Sequence, residues 1–260
     1  MTRTYVVTGA ASGIGKATAE LLTEHGHRVI GVDLHDADVT VDLSTAEGRT
    51  ELVSRVTDLS GGKIDAIIAN AGLAKPVAKT VAINYFGTVA TLTGLQPLLA
   101  GSPAPRAVAT ASMASLFPPD DVLLEALLAG NEKKALARGA ELEAAGGDTA
   151  NLIYGTTKRA LARWIRRNAA TGEWAGAGIP LNAVAPGVVE TPMTADFTGS
   201  EEARKAVLQM VPMPLNGIFQ PRDVGYLLDF LTSEHNAHLC GQVVFIDGGS
   251  DVVIRGDSTW

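Results

Sequence analysis

Between the β-branched run Tyr5-Val6-Val7 and a stretch apolar at helical spacing (Ile14, Ala17, Leu21, Leu22), the chain reads Thr8-Gly9-Ala10-Ala11-Ser12-Gly13-Ile14-Gly15. A strand, a glycine turn and a helix in that order bring the free N–H groups of a helix N-terminus to the end of a strand. That is where a nucleotide's phosphates bind. Glycine at 9, 13 and 15 lets the backbone turn tightly and approach a pyrophosphate with no Cβ in between. The spacing is T-G-x-x-x-G-x-G rather than G-x-G-x-x-G, and taken alone it fits a purely structural turn as well. It constrains the fold all the same, because a βα unit of this kind belongs in a parallel, doubly wound sheet.

A second signal follows about twenty residues on. Arg28-Val29-Ile30-Gly31-Val32 reads as another strand, and it ends in Asp33. A carboxylate there accepts hydrogen bonds from the adenosine ribose hydroxyls and repels a 2′-phosphate. No basic residue lies in the glycine turn or directly after Asp33, so NAD is expected rather than NADP. The third signal is Tyr154-x-x-x-Lys158 in a segment of helical character, where a spacing of four puts both side chains on one face. A phenol that carries a proton near neutral pH needs its pKa of about 10 brought down. An ammonium within ~4 Å would supply about 4 kcal/mol at an effective dielectric of 20, roughly three pKa units.

With these residues and their companions, the chain resembles the short-chain dehydrogenase/reductase family from end to end. The glycine motif is Thr8 to Gly15, and Asn70-Ala71-Gly72 matches the N-A-G motif. The active-site asparagine falls on Asn84, the serine on Ser112, and the Tyr/Lys pair on Tyr154 and Lys158. Pro186-Gly187-Val188-Val189-Glu190-Thr191 matches the P-G motif with its threonine, and Asp247-Gly248-Gly249 the terminal D-G-G. The resemblance implies catalysis by Asn84, Ser112, Tyr154 and Lys158. Ser112 would hold the substrate oxygen beside Tyr154, and Asn84 would hold a water linking Lys158 to solvent. It implies cofactor contacts from Gly9, Ser12, Gly13, Ile14, Gly15, Asp33, Asn70, Ala71, Gly72, Pro186 and Gly187. Asp42 would meet the adenine amino group and Leu43 the adenine ring. Lys158 would bind the nicotinamide ribose, while Val189 and Thr191 would clasp the carboxamide.

The expected fold is a single α/β domain over 1–260, a Rossmann-type doubly wound parallel sheet of about seven strands. Strands are expected at 3–8, 28–33, 38–42, 64–69, 106–111, 180–185 and 242–246. Helices are expected at 14–25, 45–59, 80–100, 151–170, 201–210 and 221–233. Two departures from the family pattern mark the substrate side. The loop between Asn70 and Asn84 is shorter than usual, and the stretch between Ser112 and Tyr154 is much longer. In that stretch, Asp120-Asp121 can cap a helix bearing Val122, Leu123, Leu124, Leu127 and Leu128, which Gly130-Asn131 ends. A charged run from Glu132 to Ala145 and then Gly146-Gly147 complete a helical hairpin insertion over 116–150. The segment 191–216 reads as the substrate-binding loop. Its Met193, Phe197, Met210, Met213 and Leu215, with Leu116 and Phe117, fit either an apolar pocket or an ordinary core.

This combination is similar to the 3α-hydroxysteroid dehydrogenase/carbonyl reductase branch, which implies a small apolar, ring-bearing secondary alcohol or ketone as substrate. Aryl-ketone and terpene-alcohol dehydrogenases of the same family are alternatives. A non-catalytic nucleotide sensor would normally lack the Tyr/Lys pair. A nucleotide-sugar epimerase or dehydratase would carry a longer region after Thr191.

The formal net charge of −7 speaks against nucleic acid as a partner. Arg159, Arg163 and Arg166 share a helical face that reads as solvated. Thr80 to Pro105 carries no charge, yet its asparagine, glutamine, threonines and Pro97 make it too polar to span a membrane. It reads instead as a helix between the sheet and a partner subunit. The five histidines (25, 27, 35, 235, 238) show no ligand spacing, so no metal is expected. Cys240, the single cysteine, excludes an intramolecular disulfide and suits a reducing compartment, and the first strand starts too early to leave room for a leader. A cytoplasmic homo-oligomer, dimer or tetramer, is expected. In it the insertion would mask the usual helical pairing surface, leaving contacts through Val252-Val253-Ile254 to Trp260.

Overall fold

Strands that alternate with helices, with both faces of each strand apolar, build a layered sheet in which every strand is covered twice. The computed structural model describes residues 2–258. Seven parallel strands form one sheet: β1 (Thr4–Thr8), β2 (Arg28–Asp33), β3 (Val39–Thr40), β4 (Ala66–Ala69), β5 (Arg106–Thr110), β6 (Leu181–Pro186) and β7 (Val243–Ile246). They lie in the order β3-β2-β1-β4-β5-β6-β7. The expected α/β class and strand count hold, although β3 is only two residues long, not the five read from 38–42.

The helices are α1 (Gly13–Glu24), α2 (Ala46–Ser60), α3 (Ala78–Val81), α4 (Thr88–Leu95), α5 (Asp121–Leu128), α6 (Glu132–Ala145), α7 (Gly147–Asn168), α8 (Ala195–Thr198), α9 (Glu201–Met210), α10 (Pro221–Thr232) and α11 (Ser250–Arg255). Side chains alternate across β1. Tyr5 and Val7 join a core with Leu22, Val224 and Leu228 beneath α1 and α10. Val6 faces the opposite layer, with Leu52, Leu92, Leu161 and Ile165 of α2, α4 and α7. Strand order reverses between β1 and β4, and the crevice at such a switch point, beyond the strand ends, is the ligand position of doubly wound sheets.

The helix expected over 80–100 begins at Ala78 and is not regular. Ala82–Gly87 is a π-helical turn between α3 and α4, and Gln96–Leu99 closes the run as a 3₁₀ turn around Pro97. The uncharged stretch from Thr80 packs within its own chain, against α2, β4 and α7. Among the described residues, no helix is long and apolar enough to cross a membrane.

Residues 116–150 fold into α5, α6 and the start of α7. Asp120 caps α5 by accepting the Leu123 N–H at 2.7 Å, and Asn131 caps α6 by accepting that of Lys134 at 3.0 Å. Leu123, Leu127, Ala135 and Leu142 are buried in the main core. The helix carrying Tyr154 starts at Gly147 rather than 151, because Gly146, at φ 67°, both ends α6 and opens α7. α6 leans on α3 at Gly139, where a Cβ would come within 3.0 Å of Val81. Glu143 accepts the Ala78 N–H at 2.7 Å, and Arg49 of α2 pairs with Glu132 at 2.5 Å.

Candidate active site

At the N-terminal half of the crevice, backbone geometry sets the site. Gly9 and Gly13 have φ of 72° and 52°. A Cβ on Gly15 would lie 2.0 Å from the Gly9 carbonyl oxygen, so the glycine turn tolerates nothing larger there. Ser12 forms no side-chain cap on α1, which leaves first-turn N–H groups open to the cleft that Gly9, Ser12, Gly13 and Ile14 line. A nucleotide pyrophosphate fits this cradle. Asn70 and Thr8 brace it: the Thr8 hydroxyl accepts the N–H groups of Asn70 and Ala71, each at 3.0 Å, and the Thr110 hydroxyl donates to Asn70 Oδ1 at 3.0 Å. The Asn70 side chain therefore ties β1, β4 and β5 together, while its backbone, Ala71 and Gly72 line the cleft.

Asp33 stands at the end of β2 and lines the cleft beside Leu34. Its carboxylate accepts the N–H of Ala11 at 2.9 Å and of Leu34 at 2.7 Å, which fixes its direction and leaves lone pairs free for hydroxyls. Asp42 and Leu43 close the far end. Burial disfavours the Asp42 carboxylate, but Ser44 and the Lys79 ammonium at 3.0 Å outweigh it and hold the pKa below the usual value. Lys79, next to Asp42, had no signal in the sequence.

At the other end lie Ser112, Tyr154, Lys158 and Asn84. Ser112 follows β5 and caps the 3₁₀ turn Met113–Leu116, its Oγ accepting the Ala114 N–H at 3.1 Å. Tyr154 and Lys158 stand one turn apart on α7 and both line the cleft, with Lys158 only 4% exposed. Lys158 Nζ donates to the Thr110 carbonyl at 2.7 Å and lies 5.8 Å from the centre of the Tyr154 ring. Burial brings the lysine down to about 8. Burial also holds the Tyr154 phenol above its ordinary value, with the Ser112 hydroxyl pulling the other way. In the chain by itself desolvation prevails over the Ser112 hydrogen bond.

Asn84 sits wholly buried in the π-helical turn. Its side chain is spent on Leu73, accepting that N–H at 2.8 Å and donating to its carbonyl at 2.9 Å, and it reaches Thr157 at 3.2 Å. Any water held there needs a backbone partner, such as a carbonyl that the π turn frees from the regular ladder.

The Pro186–Thr191 segment closes the cleft from β6. Thr194 Oγ1 donates to the Val189 carbonyl at 2.5 Å and accepts the Thr191 N–H at 3.1 Å, so Thr194 is a further residue shaping this end. Gly187 packs where a Cβ would lie 3.0 Å from Met213 Cε, and Met213 Sδ accepts the Val188 N–H at 3.3 Å. Met213 is thus core, whereas Met193, Phe197, Met210 and Leu215 are exposed. Of the basic face on α7, Arg159 and Arg166 donate to backbone carbonyls, so the face is not simply solvated as expected. Among the described residues, no group of three His, Cys, Asp or Glu side chains is arranged to hold a metal.

The chain is 36% identical to a 3-alpha-hydroxysteroid dehydrogenase/carbonyl reductase of Comamonas testosteroni, over 96% of its own length and 97% of the relative's. It belongs to the short-chain dehydrogenase/reductase family. As a member of that family it is an oxidoreductase. The family model described as enoyl-(acyl carrier protein) reductase matches residues 139–251, the part that carries Tyr154, Lys158 and the closing strands. Among solved structures, a 3-alpha-hydroxysteroid dehydrogenase from Pseudomonas sp. B-0831, complexed with NADH, superposes with a TM-score of 0.87 at 38% identity, covering 98% of this chain and 99% of that one. A cis-4-hydroxycyclohexanecarboxylate dehydrogenase of Sinomonas cyclohexanicum is 30% identical over 96% of this chain and 97% of its own. Both relatives at full length are dehydrogenases named for an alcohol on a ring.

Proposed function

We propose that this short-chain dehydrogenase/reductase uses NAD(H) to interconvert a secondary alcohol and a ketone on an apolar, ring-bearing substrate, as a 3α-hydroxysteroid dehydrogenase/carbonyl reductase does. The observation that carries the reading is the cleft itself. Ser112 and Tyr154 share the cleft with Lys158, and the exposed Met193 lines it as well. Asp33 supports NAD, since its fixed carboxylate suits ribose hydroxyls and opposes a 2′-phosphate. The Pseudomonas relative of the same branch is complexed with NADH.

When bound, the nicotinamide gives or takes a hydride at C4 and, oxidised, brings a positive charge beside the phenol. Ser112 donates a hydrogen bond to the substrate oxygen. Tyr154 gives that oxygen its proton in reduction and takes it back in oxidation. The raised phenol pKa suits the acid role, so oxidation draws on the added positive charge and on Lys158. Lys158, held against Thr110, is within the cleft to meet the nicotinamide ribose, and Asn84 fixes the π turn behind it.

Turnover followed by NADH absorbance across 3α- and 3β-hydroxysteroids, 1-phenylethanol and monocyclic terpene alcohols tests the reading, with Tyr154→Phe as control. Steroid activity that the variant abolishes is the expected result. Activity confined to smaller rings selects the aryl-ketone or terpene alternative, and NADH binding with no turnover anywhere leaves a substrate outside the panel or the sensor. For assembly, a homodimer is supported by the exposed Val252, Val253 and Ile254 of α11 and by α5 and α6 covering α7. Trp260 lies outside the described residues. A solution mass of four chains would overturn the dimer.

A further inference from the structure

The turn that carries Ser112 is held from behind by the helix that carries Tyr154. Gly155 lets α7 approach so closely that a Cβ would lie 3.0 Å from the Ala114 carbonyl oxygen. One helical turn later, Arg159 Nε donates to the Ser115 carbonyl at 2.8 Å and Nη2 to the Leu116 carbonyl at 3.4 Å. Those are the last carbonyls of the 3₁₀ turn that Ser112 opens, and the turn has no N–H to spare for them. One planar guanidinium satisfies both, which a point-like ammonium does less well. No carboxylate pairs with Arg159 among the described residues, so its charge is spent on this turn.

We propose that Arg159 is a positioning residue for Ser112, locking the serine turn to α7 so that the serine hydroxyl and the Tyr154 phenol keep one mutual geometry. The assignment rests on the Ser112–Tyr154 reading above. Tyr154 and Lys158 project into the cleft from one face of α7, while Gly155 and Arg159, each one residue on, grip the serine turn from the neighbouring face. Arg159 also lines an open groove with Ser115, Leu116 and Phe245. A small cation in solution can therefore reach the place its head group occupies.

That access supplies the test. Arg159→Ala should lower kcat about tenfold or more, the scale of losing charged hydrogen bonds that align a reacting group, while NADH affinity measured by fluorescence stays within about twofold. Guanidinium at low, non-denaturing concentration should restore part of kcat, and urea, neutral and of similar shape, should not. In a Ser112→Ala background the same substitution should cost less than about twofold, because no serine remains to be placed. Wild-type kcat in a folded Arg159→Ala would overturn the proposal, as would an undiminished loss in the Ser112→Ala background. Should the alanine variant not fold, Arg159→Lys takes its place, with an intermediate loss expected and none overturning. If Ser112→Ala alone keeps full activity, the active-site reading itself fails, and that result is separate from anything Arg159 does.

Discussion

The two sides of the cleft are built differently. On the cofactor side, strand ends and first helical turns supply the surface, and its polar side chains are committed: Thr8, Asp33, Asn70 and Thr110 each hold a backbone or side-chain partner. On the other side runs the 191–216 segment, a lid in this reading, where Met193 lines the cleft at 45% exposure and Phe197 and Met210 are 49% and 63% exposed. Two anchors hold that side, Met213 beneath Gly187 and the Arg204–Glu190 ion pair at 2.5 Å, with Gln220 on the second carboxylate oxygen at 2.9 Å. The contrast teaches where each kind of selectivity resides. A fixed, hydrogen-bonded floor suits one invariant ligand, and a soft apolar cover suits substrates that vary in shape.

Substitutions on the two sides should therefore separate cleanly. The largest effect is expected from Tyr154→Phe, a loss of about a thousandfold in kcat with NADH affinity kept, measured by turnover and fluorescence titration. Weakened NADH binding in that variant would mean the catalytic end and the floor are one unit. Next, Asp33→Ala should raise the NAD Kd by about ten- to a hundredfold, since hydrogen bonds to a charged group are worth 1.5–3 kcal/mol. It should also narrow the preference for NAD over NADP, and unchanged discrimination would remove Asp33 from that role. Phe197→Ala and Met193→Ala should raise KM for apolar ring substrates by about three- to tenfold and leave NADH affinity alone. An equal effect on small and bulky alcohols would argue against the lid as the selective surface.

The smallest effect is one of pH. Burial depresses Lys158 to about 8, so between that value and the ordinary lysine pKa near 10.4 the unfolded chain binds more protons than the folded one. Stability should thus rise with pH across that window. It should fall again above about 10, where unfolded tyrosines ionise and Tyr154, Tyr5 and Tyr85, all raised by burial, resist ionising. Thermal melts of the wild type and Lys158→Met should show the rise in the first and not in the second.

What the sequence made legible was local. Glycine spacing, cap residues and the four-residue step from Tyr154 to Lys158 each encode a geometry within one or two turns, and the fold, the glycine cradle and the cap of α5 follow from them. What it hid depends on groups far apart in the chain. Nothing near Asn84 announces a π turn, and Lys79 meets Asp42 only because α3 runs past the end of β3. The desolvation of Tyr154 was out of reach for the same reason. Spacing tells which charge is near, but desolvation is set by the whole cover over α7. The basic face of α7 was misread because an arginine's carbonyl partners leave no mark in composition.

The 70–84 segment and the hairpin of α5 and α6 are joined by physical contact. Glu143 of α6 caps α3, which begins at Ala78 within the 70–84 segment, and Gly139 is small enough for α6 to rest on that helix. The 70–84 segment and the hairpin therefore pack as one unit, and a graft must carry both. A chimera given the hairpin without that segment, or the reverse, would leave either an uncapped helix end or a glycine facing empty space.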